Sequence, residues 1–534
     1  MPPAAPQRTP HRPNILVILV DDMGFSDIGC YGSEIRTPNL NRLAEGGLVF
    51  RQMYNCSRCC PTRASLLTGL YPHRAGIGAM VKDLGAEPYQ GYLNDRCATV
   101  AELLSAGGYR TKMSGKWHVG GPYPHDSPSE WNKGDTTHPL PIQRGFEEHW
   151  GTLAGAGSYW KPETLVHNDT WVEPEADEDF YYTDAISDHA CRMIDDCRRT
   201  TPDKPFFLYV AYTAPHWPLH ARPEDIERYR GQYRKGWDAV RTARHEQLKG
   251  SGILEDRWEI SPRDETVPPF DQVDDAEYQD MLMAVYAAQI DRMDQGVGRI
   301  LATLERHRIE DDTVVMFLSD NGGCHEFIRH GSNWAQRLTH HDYFGQPVVP
   351  GDAPGVMPGG PLTYQSYNVP WANVSNTPFR MYKHWVHEGG IATPLIVHCP
   401  GRIRQGMTDA QCHVIDLLPT CLELAGLEYP EQYDGRELNR CDGESFASLF
   451  GGGDFRRERP LWWEHEGNRS ARIEDWKLVA KFKGPWELYN LREDRTELTD
   501  LSGAKPDMLR QLVTYYQQTA DRCGVIDYQR LIGG

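Results

Sequence analysis

Two apolar runs in this chain stop abruptly on acidic residues, and they constrain its fold more than any other feature. Asn14-Ile-Leu-Val-Ile-Leu-Val20 meets Asp21-Asp22, and Thr313-Val-Val-Met-Phe-Leu-Ser319 meets Asp320-Asn321-Gly322-Gly323. A run that is apolar without alternation needs cover on both faces, as a strand inside an α/β sheet has. Pro205-Phe-Phe-Leu-Tyr-Val-Ala211 is a third such run and leads to His216. The expected class is α/β: a large mixed, mostly parallel sheet sandwiched by helices. In such sheets ligands collect beyond the carboxyl ends of the strands.

Helical patterns fill the intervals. Thr37-Pro38-Asn39 caps a short helix through Leu40 and Leu43 that ends at Gly46-Gly47. Thr99 to Ala106 reads as another, stopped by Gly107-Gly108, and Ile186, Ala190, Met193, Ile194 and Cys197 form an apolar stripe. About Asp275 to Arg308 reads as one long or slightly broken helix. Tyr109 to His118 reads as a strand, in which an extended chain would point Lys116 and His118 to one side. Lys383, and after it His387-Glu388-Gly389-Gly390, precede a further apolar run, Pro394-Leu-Ile-Val397.

Three carboxylates and one amide thus fall at two strand ends. Either group alone is ordinary turn punctuation. Together, both directly after buried strands, they read as an oxygen cage for a hard divalent cation, calcium or magnesium rather than zinc.

Charge narrows the partners. The net charge of −19 argues against nucleic acid or an anionic membrane. The opening MPPAAPQRTPHR is polar, and the apolar run behind it is too short for a signal segment or a membrane span. Thirteen cysteines, odd in number and thinly spread, fit a reducing cytoplasm better than a disulfide framework.

Cys56, Cys59 and Cys60 crowd into one stretch, NCSRCCPTRASLLTGL. Cys56 and Cys59 form C-x-x-C, but zinc would need a second ligand pair, and none occurs at the usual spacing. Buried free thiols are the default reading. The flanks point elsewhere. Pro61 suits the first turn of a helix that runs to Gly69, which puts Cys59 at its positive N-terminal end with Arg63 one turn on. A nucleophile beside a fixed cation is an arrangement for handling anions.

Cys59-Cys60-Pro61-Thr62-Arg63, followed by Thr68-Gly69, resembles the sulfatase signature C-x-P-[ST]-R with T-G beyond the arginine. NILVILVDD, GKWH, PHWPLH, SDNGG and K-x4-E-G-G stand around it in the same order as in that family, and the likeness runs from about residue 13 to 500. The chain is most similar in look to bacterial arylsulfatases of the alkaline phosphatase superfamily. The resemblance implies that a formylglycine-generating maturation enzyme oxidises Cys59, whose hydrated aldehyde is then the nucleophile. Cys60 fills the variable slot and Cys56 lies outside the motif.

It further implies that Asp21, Asp22, Asp320 and Asn321, with the modified Cys59, hold the cation, calcium or alternatively magnesium. Arg63 would fix the nucleophile, Lys116 and Lys383 would grip sulfate oxygens, His216 would meet the sulfate or leaving oxygen, and His118 would be the base that restores the aldehyde. These roles match the chemistry. A sulfate monoester reacts through a transition state with charge spread over its oxygens, so catalysis is positioning plus electrostatic stabilisation. Three carboxylates against a divalent ion, Arg63, Lys116 and Lys383 leave the pocket positive by about two charges.

The expected organisation is a polar tail at residues 1–12, a catalytic α/β domain at 13–450 with an alkaline phosphatase-like fold, and a C-terminal α+β subdomain at 451–534. Past Gly451-Gly-Gly, short runs at Leu461, Ala471, Trp476 and Trp486 read as a small antiparallel sheet, followed by a helix from about Pro506 to Gln518. The long Pro/Gly/Asn-rich segment from Phe327 to Trp385 reads as a lid or a subunit contact, leaving a homo-oligomer open. Trp160 and Trp217 suit an aryl leaving group, or plain packing. The expected reaction is hydrolysis of small sulfate monoesters, aryl sulfates first. The alternatives are a phosphonate monoester or phosphodiester hydrolase on the same scaffold, or an inactive protein that holds a sulfated ligand.

Overall fold

The computed structural model describes residues 12–123, 132–173, 179–332, 335, 341–353 and 355–533. All but the last residue of the expected 1–12 tail lies outside them. The sheet forms around the run that ends in Asp21-Asp22. Asn14–Val20 is its central strand, buried at all seven positions. It pairs in parallel with Phe206–Ala211 on one side and Thr313–Ser319 on the other. Beyond Phe206–Ala211 come Arg110–Gly115 and Glu148–Thr152, both parallel, and then the short antiparallel strands Leu165–His167 and Thr170–Trp171.

On the far side, Thr313–Ser319 pairs with Ala392–His398, which runs antiparallel to it and to the next strand, Leu48–Tyr54. Gly406–Thr408 and Cys412–His413 complete a sheet of eleven strands among the described residues. One large apolar core lies on each face of this sheet. Neighbouring residues of the central strand are divided between them, Leu16, Ile18 and Val20 to one and Ile15, Val17 and Leu19 to the other. That division is why the run reads as apolar without alternation.

The long helix is unbroken from Ala276 to His307. Asp275 caps it by accepting from the Tyr278 N–H, and Arg308 ends it in the left-handed region. A separate four-stranded antiparallel sheet is built from Leu461–His465, Asn468–Ile473, Trp476–Ala480 and Glu487–Asn490. The helix Pro506–Cys523, longer than the sequence suggests, packs Leu512, Tyr516 and Ala520 onto Trp462, Leu478 and Leu488 of this sheet.

This sheet is tied to the large one by buried polar contacts. The Trp463 indole donates to the Asn55 carbonyl at 2.8 Å, and the Lys477 ammonium meets the Glu388 carboxylate at 2.8 Å. Among the described residues, no helix is long and apolar enough to cross a membrane.

Candidate active site

The strands deliver the site as their ends suggest. Asp21 and Asp22 follow the central strand, Asp320 and Asn321 follow its neighbour, and all four are fully buried. Asp22 sits at φ 63°, a turn that folds its amide back towards Asp320 Oδ1 at 3.3 Å. Asn321 Nδ2 donates to Asp22 Oδ1 at 2.7 Å. Two oxygens remain without a hydrogen-bond partner, Asp21 Oδ1 and Asn321 Oδ1.

Cations surround this cluster. Arg63 donates through Nη2 to Asp320 Oδ2 at 2.8 Å and to Asp21 Oδ2 at 3.3 Å, and through Nη1 to the Lys116 carbonyl at 3.0 Å. Lys116 Nζ bonds Asp21 Oδ2, and Lys383 Nζ bonds Asp22 Oδ2 at 2.9 Å. Arg63 therefore braces the carboxylates that stand beside Cys59.

The carboxylates titrate against one another. Burial pushes Asp21 up, but Lys116, His216 and Arg63 outweigh it and hold the group below the ordinary range. Burial and the charge on Asp21 drive Asp320 well up, with Arg63 opposing. Three carboxylates face three cations, Arg63, Lys116 and Lys383, so a divalent ion would leave the set net positive. An all-oxygen donor set with two idle oxygens fits a hard divalent ion.

Cys59 opens the helix Cys59–Thr68, all ten residues of which are buried. Its thiol, the unmodified precursor of any formylglycine, lies with Cys60 and His118 in a group whose ligand atoms are within 4.8 Å of one another. A hydrogen bond from Cys60 lowers the Cys59 thiol well below its ordinary value; burial opposes this, and His118 and Lys116 reinforce it. Burial pushes His118 down to about 4.

One local expectation is corrected here. The strand ends at Gly115, and His118 lies at φ 55°, so Lys116 and His118 are not on one extended segment. They reach the site from irregular chain just past the strand. A side chain at Gly115 would place its Cβ 2.0 Å from the Ala211 carbonyl oxygen.

His216 Nδ1 donates to the Trp217 carbonyl at 2.6 Å, which leaves Nε2 to accept from Lys383 Nζ at 3.2 Å. Lys383 is carried in by two glycine pairs pressed together. The Gly322 amide donates to the Gly390 carbonyl at 3.1 Å, and a Cβ on Gly322 would lie 1.9 Å from the Gly389 carbonyl oxygen. Cys59, His118, His216 and Lys383 line one cavity of about 420 Å³.

Sequence reasoning missed two further lining residues, Arg58 and Glu326, which form an ion pair at 2.8 Å. Arg58 immediately precedes the nucleophile position and Glu326 stands three residues past Ser319-Asp-Asn-Gly-Gly323, but neither belongs to a motif itself. Trp217 lines the cavity. Trp160 is not among its lining residues and packs its ring against His220, with centroids 4.9 Å apart. Cys56 hydrogen-bonds Ser65 Oγ at 3.4 Å, away from this chemistry.

Comparison with known proteins gives the family. Residues 13–427 match the family model described as Sulfatase, and residues 379–519 match one described as N-sulphoglucosamine sulphohydrolase, C-terminal. The chain belongs to the sulfatase family, and it is a sulfuric ester hydrolase. It is 32% identical over 548 residues to an uncharacterized sulfatase of Schizosaccharomyces pombe, covering 96% of this chain and 94% of that one. It is 33% identical over 440 residues to an arylsulfatase of Klebsiella aerogenes, covering 78% and 87%. In fold it resembles the crystal structure of Ps i-CgsB, with a TM-score of 0.66 and 24% identity over 95% of this chain and 93% of that one.

Proposed function

We propose that this chain hydrolyses aryl sulfates through a formylglycine made from Cys59, with calcium held by Asp21, Asp22, Asp320 and Asn321. The observation that carries this reading is the pair of idle buried oxygens, Asp21 Oδ1 and Asn321 Oδ1, set among Arg63, Lys116 and Lys383. When present, the calcium would polarise sulfate oxygens and the hydrated aldehyde would supply a hydroxyl nucleophile.

The chain's own groups do the rest. Lys116, bonded to Asp21, and Lys383, bonded to Asp22 and lining the cavity, would match the charge that spreads over the sulfate oxygens in the transition state. His216, its tautomer fixed by the Trp217 carbonyl, directs Nε2 towards Lys383 and the leaving oxygen. His118 faces the Cys59 side chain and takes the proton whose removal completes turnover. Met80, Val81, Tyr123 and Trp217 give the cavity the apolar wall that an aryl group requires.

Mass spectrometry of the tryptic peptide Cys59-Cys-Pro-Thr-Arg63, from protein co-expressed with a formylglycine-generating enzyme, tests the nucleophile. The expected result is replacement of the Cys59 thiol by an aldehyde, accompanied by turnover of 4-nitrophenyl sulfate. A thiol that persists, or a faster rate on a matched phenyl phosphonate ester, overturns the proposal.

A further inference from the structure

Glu326 is the single acidic side chain lining the cavity among the described residues. It is held at three points. Its Oε1 pairs with Arg58 Nη1 at 2.8 Å, its Oε2 accepts from the Trp217 indole at 2.9 Å, and Oε2 lies 3.7 Å from Lys383 Nζ. Burial would push its carboxyl up, but Lys383 and Arg58 outweigh this and hold it well below the ordinary range.

Among the described lining residues, only Arg58 and Lys383 carry a fixed positive charge. Lys383 is committed to Asp22 at the sulfate end. Arg58 is therefore the one cation positioned to receive an acidic group on the leaving half of a substrate, and Glu326 already occupies it. The neighbouring wall, with Met80, Val81, Pro122 and Tyr123, offers apolar surface.

We infer that the Arg58–Glu326 pair selects sulfate esters whose alcohol half carries no charge, and rejects those with a second anionic group. A second carboxylate would have to displace Glu326 from Arg58 or lie against it in a partly dry cavity, where like charges repel far more than in water. The inference deepens the aryl sulfate reading and rests on it.

Its test uses binding rather than turnover, so that the two can fail separately. Benzenesulfonate and 4-sulfobenzoate, both inert to hydrolysis, are titrated calorimetrically into the matured, calcium-loaded protein. Wild type is expected to bind benzenesulfonate at least about tenfold more tightly than 4-sulfobenzoate. Glu326→Gln should shrink that ratio towards unity, Glu326→Asp should keep most of it, and Arg58→Gln should widen it. Opposite responses to the two charge deletions would not follow from general loss of structure. Equal affinities in wild type, no binding of benzenesulfonate, or a ratio unmoved by Glu326→Gln each overturn the inference. Failure of the formylglycine reading would instead show as a retained Cys59 thiol, whatever the ratio.

Discussion

Lys116 and Lys383 each neutralise one of the adjacent carboxylates, Asp21 and Asp22, and each is the nearest ammonium to its side of the cluster. Deleting either should cost about 10²–10³ in kcat/KM for 4-nitrophenyl sulfate, the usual loss for one preorganised charge donor. A loss below tenfold in Lys383→Ala would remove it from the sulfate-binding set. Asn321 makes a sharper case. Its Oδ1 has no protein partner while its Nδ2 donates to Asp22 Oδ1, so Asn321→Ala should bind calcium more weakly, measurable by calcium titration of the purified variant, at a cost in stability of about 1 kcal/mol. At this scale much was legible in the chain. Asp21, Asp22, Asp320 and Asn321 sit directly after apolar runs that require burial, so strand order alone brought them together. The Arg58–Glu326 pair was not legible, because its partners lie far apart in the chain and neither ends a strand.

Among the elements, the contact between Gly322 and Gly389 governs how the Lys383 turn seats against the strand end. Gly322→Ala forces a Cβ to within 1.9 Å of a backbone oxygen, so the turn must shift. Activity should fall with that of Lys383→Ala while the circular dichroism spectrum stays α/β; full activity would show that the seating is unnecessary. A second element contact is sensitive to pH. Asp294, on the Ala276–His307 helix, accepts from the Asn39 and Leu40 amides at the start of the Pro38–Glu45 helix, at 3.1 and 2.8 Å. Burial, aided by Asp291, raises its carboxyl from 3.8 to about 6 against those hydrogen bonds.

A group whose folded value is raised contributes stability that is complete below its unfolded value and lost as pH rises through the folded one. The unfolding free energy of wild type minus that of Asp294→Asn should therefore fall by up to about 3 kcal/mol between about pH 4 and pH 7. A flat difference, followed by denaturant unfolding, refutes the assignment. The strands on which these helices rest were readable because both of their faces are covered. Leu48–Tyr54 escaped notice because Arg51 and Gln52 interrupt its apolar run, half-exposed where the sheet nears its edge. The left-handed bend at His118 escaped for a different reason. Gly115, where a Cβ would meet the Ala211 carbonyl oxygen at 2.0 Å, is the last strand residue, and such backbone proximity leaves little trace in composition.

For the whole molecule, the formal charge of −19 opposes the approach of an anionic ester, whereas the cavity attracts it. Salt screens the first effect over distances beyond about 10 Å at 0.1 M and leaves the buried contacts nearly untouched. kcat/KM for an aryl sulfate should accordingly rise with moderate sodium chloride before it levels; a steep monotonic fall would mean that cavity attraction dominates even at long range. The helix that begins at Cys59 has one more consequence, and it concerns timing. With all ten of its residues buried, the finished fold offers another protein no purchase on that cysteine. An enzyme that converts Cys59 would have to reach it before the Leu48–Tyr54 strand is paired with Ala392–His398, more than three hundred residues further along the chain. If Cys59 is converted, maturation and folding would compete for the same segment, and their relative rates would set how much active enzyme forms.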